Sequence, residues 1–439
     1  MLRRGADRIC RPVTDPMDRS YRALLRVPTL GRVLISMQIA RVAQSMVSIA
    51  LVLFTLDRYG SPAFAGLVTF ASVFPGLLIS PIAGALLDRH GRIRLVLLDY
   101  VVALLAMVLI GVLALLDALP GALLLAIAVV SALTSILSHV GVRSLFPIIV
   151  PEHLWERVNA VDSNGYVVAI ILGPPAAAAL VAFFGGAVAL IVIGVAFGGA
   201  ALALIGVPDP ESPTSSKGNL LVDAWDGVVY TWRNPTLRGL GFAVSALNLT
   251  NGMTTIVLPL IILQRFGLNE TVVGLVFAVS GISGMGSAFL FGRMDTRGRE
   301  WALLVWPTLG VVPAMLLMFL AAGQGDLVPL GLALLVAQSL LFGLLAGPFD
   351  IALFTVRQRR TEPSWMGRAF AVSMAFNFLG VPVGAAVAGI LAEGSIELAI
   401  LTLGVGGALA AAAFAALLVP RTDERLVEGA VTPEESRPS

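Results

Sequence analysis

The sequence predicts an all-α membrane protein, with twelve transmembrane helices in two pseudo-symmetric six-helix bundles. Three observations carry that prediction. Of 439 residues, 57% are hydrophobic and 13% are charged, and the mean hydropathy is +0.92, values outside the range of a water-soluble globular chain. Twelve apolar stretches each reach the length of about 20 residues that a helix needs to cross a hydrocarbon core of roughly 30 Å. Landmarks of the first half also recur, in order, 207 or 208 residues later. Arg58-Tyr59-Gly60 returns as Arg265-Phe266-Gly267, Gly66-Leu67-Val68 as Gly274-Leu275-Val276, and the loop Gly84–Arg92 as Gly292–Arg299. A period this long marks two homologous halves of one bundle rather than a solenoid.

Residues 1–30 read as a cytoplasmic N-terminal arm. The arm is polar and Arg-rich and lacks the apolar core of a cleavable signal peptide, so the first span acts as its own targeting signal. Its Cys10 is the only cysteine, which excludes an internal disulfide and offers no metal-site spacing. The N-terminal bundle, 31–207, holds spans at about 31–56, 62–87, 94–116, 120–142, 161–184 and 186–207. Residues 208–235 are the long polar break. Pro208–Asn219 is rich in Pro and Ser, and beyond it Leu221, Trp225, Val228, Val229 and Trp232 recur at helical spacing. That pattern predicts a short helix lying at the cytoplasmic interface. The C-terminal bundle, 236–419, holds spans at about 236–263, 270–292, 300–322, 327–350, 367–391 and 396–419, and 420–439 reads as a disordered cytoplasmic tail. No run alternates as a barrel strand does.

Charge sets the orientation. Of the 29 basic residues all but Lys217 are Arg. With the arm in the cytoplasm, 26 of the 29 fall on that side, Arg58 and Arg265 fall outside, and Arg41 lies within span 1. This is the positive-inside rule, and an even number of spans puts both termini in the cytoplasm. The basic residues therefore face anionic lipid headgroups and call for no nucleic acid.

Six helices plus six, a central cytoplasmic linker and GALLDRHGR after span 2 together resemble the major facilitator superfamily over about 30–420. Gly84, Asp88, Arg89, Gly91 and Arg92 match that family's signature loop, and Asp295, Arg297, Gly298 and Arg299 keep part of it in a second copy one residue shorter. The resemblance implies that Gly84, Asp88, Arg89, Gly91, Arg92, Asp295, Arg297 and Arg299 form a cytoplasmic gate latched mainly through Asp88. Arg58–Ser61 after span 1, Gly347-Pro348 late in span 10 and Gly367-Arg368 opening span 11 are similar to the macrolide, tetracycline-type and siderophore exporters. What this implies is a secondary active transporter in the bacterial inner membrane, a monomer surrounded by membrane lipids. It would export amphipathic small molecules or drugs by alternating access, with proton antiport. A lipid or lysophospholipid flippase, or a siderophore exporter, on the same fold is the alternative, and a non-transporting membrane sensor is a third reading.

The residues have their own logic. A tight reversal between two helices suits Gly91, which tolerates φ > 0, and a carboxylate such as Asp88 near the membrane needs a cation or a helix N-terminus. The bland reading of the same loop is topogenic. Arg41 lies about ten residues into span 1, roughly 15 Å deep at 1.5 Å per residue. A cation there costs about 2.5 kcal/mol or more unless it faces a cavity or a partner. Gln38, Gln44, Ser45 and Ser48 line the same stripe, so Arg41 reads either as a substrate contact or as a structural ion pair with Asp99 or Asp162. Asn248 and Asn251 on span 7, Gln338 on span 10 and Asn377 on span 11 are further cavity candidates, or else interhelical hydrogen bonds. His139, Asp350 and Asp99 are candidates for proton coupling. Gly173, Pro174 and Pro382 predict helix bends. Span 1 carries Ala43-Gln44 where many drug exporters have an Asp, so proton coupling rests on the resemblance. No nucleophile–base pair, P-loop or metal cluster is present in the sequence, which predicts a transporter without cofactor rather than an enzyme.

Overall fold

Twelve helices long and apolar enough to cross a membrane stand among the described residues of the computed structural model, which describes residues 20–209, 220–292, 298–362 and 365–420. Of the predicted arm, linker and tail, residues 1–19, 210–219 and 421–439 lie outside them. The first six spans are α1 (Leu30–Tyr59), α2 (Pro62–His90), α3 (Arg92–Leu115), α4 (Gly121–Ile149), α5 (Trp155–Phe184) and α6 (Gly186–Leu204). The linker helix α7 (Leu220–Arg233) precedes α8 (Pro235–Leu260), α9 (Glu270–Phe291), α10 (Glu300–Ala322) and α11 (Val328–Arg359). The eleventh span is α12 (Met366–Phe378) followed by α13 (Gly380–Gly394). The twelfth joins α14 (Ile396–Ala399) to α15 (Gly406–Leu418) through a π-helical turn, Ile400–Val405.

The helix ends follow from local sequence. Gly60 closes α1 in the left-handed conformation, its N–H bonded to the Leu56 carbonyl. Ser61 Oγ then accepts the Phe64 N–H at 3.1 Å, and Pro62 starts α2 where a missing N–H costs nothing. Asn234 does the same for α8, its Oδ1 accepting the Thr236 and Leu237 N–H groups at 3.0 and 3.1 Å ahead of Pro235.

The chain folds as two compact units, one taking residues up to 218 together with 267–281, the other 219–266 and everything from 282. In the first unit α1 packs on α5 and α6, α3 on α6 and α4, and α2 on α4. In the second α8 packs on α13 and α15, and α10 on α15 and α11. The α1–α5, α1–α6, α3–α6 and α3–α4 pairs thus return as α8–α13, α8–α15, α10–α15 and α10–α11. The duplication shows in side chains too. Arg58 Nη1 donates to the Ala114 carbonyl at the end of α3 (3.1 Å) and pairs with Asp117. Its counterpart Arg265 donates to the Ala322 carbonyl at the end of α10 (3.5 Å) and pairs with Glu397 at 2.8 Å.

Helix α7 docks within the second unit through one face. Thr231 is buried, the Tyr230 ring stacks on Trp365 with centroids 4.8 Å apart, and Tyr230 Oη accepts the Glu362 N–H. Trp225 and Trp232 are exposed, Trp232 with its ring edge-on to Phe242 of α8, as suits the aromatic residues of an interfacial helix.

Candidate functional site

In the first unit, α1, α4 and α5 assemble a charged cluster inside otherwise apolar helices. Arg41 on α1 donates Nη1 to the Asp162 carbonyl oxygen at 2.8 Å and Nη2 to the Asp162 carboxylate. The other carboxylate oxygen accepts from Arg143 Nε on α4 at 3.0 Å. Tyr166, one turn beyond Asp162 on α5, places its ring against both guanidiniums, with centroid distances of 5.8 and 5.9 Å. Gln38 Nε2, one turn before Arg41, donates to the Gly165 carbonyl at 3.0 Å. Gly165 is what allows α5 so close, because a Cβ there would collide with Gln38 Oε1. Of the two partners open to Arg41, the structure supplies Asp162. Asp99 instead accepts the Thr134 hydroxyl at 2.9 Å.

The second unit holds a related but less charged arrangement. Asn251 Nδ2 donates to Asn248 Oδ1 at 3.0 Å, and Asn248 Nδ2 donates to the Asn377 carbonyl at 2.8 Å. With its carboxamide oxygen facing Arg357, Asn377 accepts from Arg357 Nη2 and donates to the Ser373 carbonyl at 3.1 Å. Arg357 Nη1 contacts Met374 Sδ at 3.3 Å and its guanidinium lies over Phe354. Gly380 repeats the role of Gly165, since a Cβ there would strike the Ser245 carbonyl.

The two arrangements are repeats of one another. Gln38 and Arg41 correspond to Ser245 and Asn248, 207 residues on; Arg143 corresponds to Arg357, 214 on; Asp162 and Gly165 correspond to Asn377 and Gly380, 215 on. Arg143 and Arg357 stand near the cytoplasmic ends of the repeat-related helices 4 and 10 in the sequence itself, whereas Tyr166 carries no sequence signal.

The other predicted residues are distributed as follows. Gln44 and Asp99 line a cavity of about 20 Å³ with Ser72, Ser131 and Ser135, room for a water molecule. His139 is exposed, with Nδ1 bonded to the carbonyl of Ser135, one of the cavity-lining residues, at 2.9 Å. Ser45 packs against Gly173. Gln338 is buried and accepts the Ser339 hydroxyl at 3.1 Å. Asp350 is exposed. Helix α5 runs unbroken through Pro174 and Pro175, whereas a break at Leu379 separates α12 from α13 just ahead of Pro382.

In the signature loop, the side chains of Gly84 and Asp88, and all of Asp295 and Arg297, lie outside the described residues. Arg89 and Arg299 are exposed. Gly91 takes φ +92°, and a side chain there would run into the Asp209 carboxylate. Asp209, at the start of the linker, accepts the backbone N–H groups of Arg92, Ile93 and Arg94 at 3.0, 3.3 and 3.3 Å. The first turn of α3, which carries the basic end of the loop, is thus capped by a carboxylate 117 residues away. Sequence reading did not single out Asp209, and its spacing carries no local capping signal.

The family model described as Major Facilitator Superfamily matches residues 33–367 and 240–438. An MFS-type transporter of Sinorhizobium fredii, y4rN, uncharacterized, is 34% identical over 396 residues, covering 90% of this chain and 96% of its own. Multidrug efflux pump Tap of Mycolicibacterium fortuitum is 25% identical over 356 residues, 77% of this chain and 83% of its own. Among solved structures, a bacterial homologue of the iron transporter ferroportin superposes with a TM-score of 0.70 at 18% identity, over 89% of this chain and 98% of its own.

Proposed function

The chain belongs to the major facilitator superfamily and is a multi-pass secondary transporter of that type, and we propose that it exports amphipathic small molecules by alternating access in exchange for protons. The observation that carries this reading is the Arg41–Asp162–Arg143 cluster. Charges within membrane helices are costly and mark substrate or ion paths when they face a cavity. The Arg143 side chain is 53% exposed, which leaves the cluster open on that side. The likeness to a multidrug efflux pump supports export as the direction.

Proton exchange finds support in Asp99, buried among hydroxyls beside a water-sized cavity with His139 near by. Asp350 on α11 is the candidate in the second unit. The loop at Gly84–Arg92 is the proposed cytoplasmic latch, and the capping of its basic end by Asp209 supports a fixed geometry there. The distribution of basic residues supports a bacterial cytoplasmic membrane with both termini inside. The working form is taken as a monomer acting without enzymatic chemistry.

The test is reconstitution into proteoliposomes with an imposed pH gradient and a panel of lipophilic cations, zwitterions and anions. Substrate movement against its own gradient, accompanied by proton counterflow, is the expected result. Movement of any panel member that is indifferent to collapse of the pH gradient overturns proton exchange, and no movement of any overturns export.

A further inference from the structure

We propose that Arg143 is a docking point for an anionic group, a carboxylate or a phosphate, on the amphipathic molecule carried; the proposal rests on the export reading above. A guanidinium offers five N–H donors in a rigid fork. Asp162 engages only the Nε of Arg143, and no protein partner meets Nη1 or Nη2 among the described residues. The edge left over is the one that matches a carboxylate or a phosphate with two parallel hydrogen bonds.

The charge balance favours an anion as well. One carboxylate is shared between two guanidiniums, and Arg41 already takes its other oxygen and its backbone carbonyl. The cluster therefore keeps about one net positive charge. Tyr166 fixes the plane from one side, and Ile170 follows it one turn later on α5; both are exposed. They give an apolar body somewhere to lie beside the charged head.

The repeat supplies an internal contrast. Arg357, the counterpart of Arg143, is fully buried and is met by Met374 and Asn377. Only Arg143 of the pair presents its fork to a ligand, so the anion subsite belongs to the first unit.

The test is direct binding to the full chain in nanodiscs by thermophoresis, with three probes sharing an aromatic body: 1-naphthylacetate, 1-naphthyl phosphate and 1-naphthylmethylammonium. Wild type is expected to bind at least one anion about tenfold or more tighter than the cation, and Arg143→Gln to lose about tenfold to a hundredfold for that anion while leaving the cation unchanged. Arg143→Lys keeps the charge without the fork and should recover only part of the loss, and it decides the matter if Arg143→Gln does not fold. Equal anion affinity in wild type and Arg143→Gln, equal affinity in wild type and Arg143→Lys, or no preference for anions in wild type overturns the proposal. Competition by lysophosphatidate added in vesicles separates a lipid phosphate, which displaces the probe, from a free solute, which leaves it bound to a site that lipid does not enter. Arg143-dependent binding without export of any anion would sink the export reading and leave the site standing. Anion export untouched in Arg143→Gln would do the reverse.

Discussion

Replacing Asp162 by alanine should be among the most damaging single changes in the first unit, and the burial pattern sets how damaging. The Asp162 side chain is 9% exposed and that of Arg41 15%, whereas Arg143 is half in the open. Asp162→Ala strands Arg41 in an apolar setting with only a backbone carbonyl and the Tyr166 ring left to it, and stranding a buried charge costs about 3–5 kcal/mol. Losing the exposed Arg143 bridge costs about 1 kcal/mol or less. Arg41→Ala falls between, since Asp162 keeps Arg143. The double variant Arg41→Met/Asp162→Leu removes both buried charges and should be less destabilised than Asp162→Ala alone. Unfolding in mixed micelles, followed by tryptophan fluorescence, measures the alanine variants and, as one double-mutant cycle, Arg41→Met, Asp162→Leu and the two combined. The reasoning fails if Arg143→Ala costs as much as Asp162→Ala, or if the double variant sits at the sum of its singles.

Four further outcomes follow from the geometry. Asp209→Ala uncaps the first turn of α3 and should cost about 1 kcal/mol, read as a lower unfolding midpoint. Gly91→Ala should cost more, and part of its penalty should vanish in the Asp209→Ala background, because the carboxylate it strikes is gone; equal penalties in both backgrounds refute the contact. Asn377→Leu removes the acceptor for Arg357 Nη2 and should cost about 1.5–3 kcal/mol by the same unfolding assay. Asp99→Asn is expected to abolish proton counterflow in proteoliposomes while substrate binding persists, and unchanged counterflow removes Asp99 from the coupling path.

The fold was legible because a bilayer permits few solutions. Long apolar runs must be helices, and the Arg58/Arg265 and Gly66/Gly274 landmarks expose the duplication without any three-dimensional knowledge. The site was legible only in outline. Arg41 declared itself as a cation deep in an apolar helix, yet Asp99 and Asp162 were equally placed to meet it along the sequence. Helix rotation decides between them, turning Asp99 to Thr134 and Asp162 to Arg41, and neither partner's rotation is encoded in hydropathy. Arg143 and Arg357 could be matched by helix but not by residue offset. The repeat offset grows from 208 at the loops to 214 at Arg143/Arg357 and 215 at Asp162/Asn377, so a fixed register misses the equivalence. Tyr166 gave no signal because an aromatic residue in a membrane helix is unexceptional until something is seen to lie on it.

The separation of Arg41 from Asp162 bears on how the chain is made. The two are 121 residues apart, and at about 5–20 residues per second the ribosome needs roughly 6–24 s to synthesise the stretch between them. For that interval the leading segment enters the translocon carrying an arginine whose counter-ion has not been made, at a cost of about 2.5–3.5 kcal/mol. The run Ile49–Leu56 that follows must hold it in the lipid unaided. Biogenesis is therefore most exposed to failure before the fifth segment emerges. A variant lacking Asp162 would be betrayed first by the quality-control proteases that survey nascent membrane proteins.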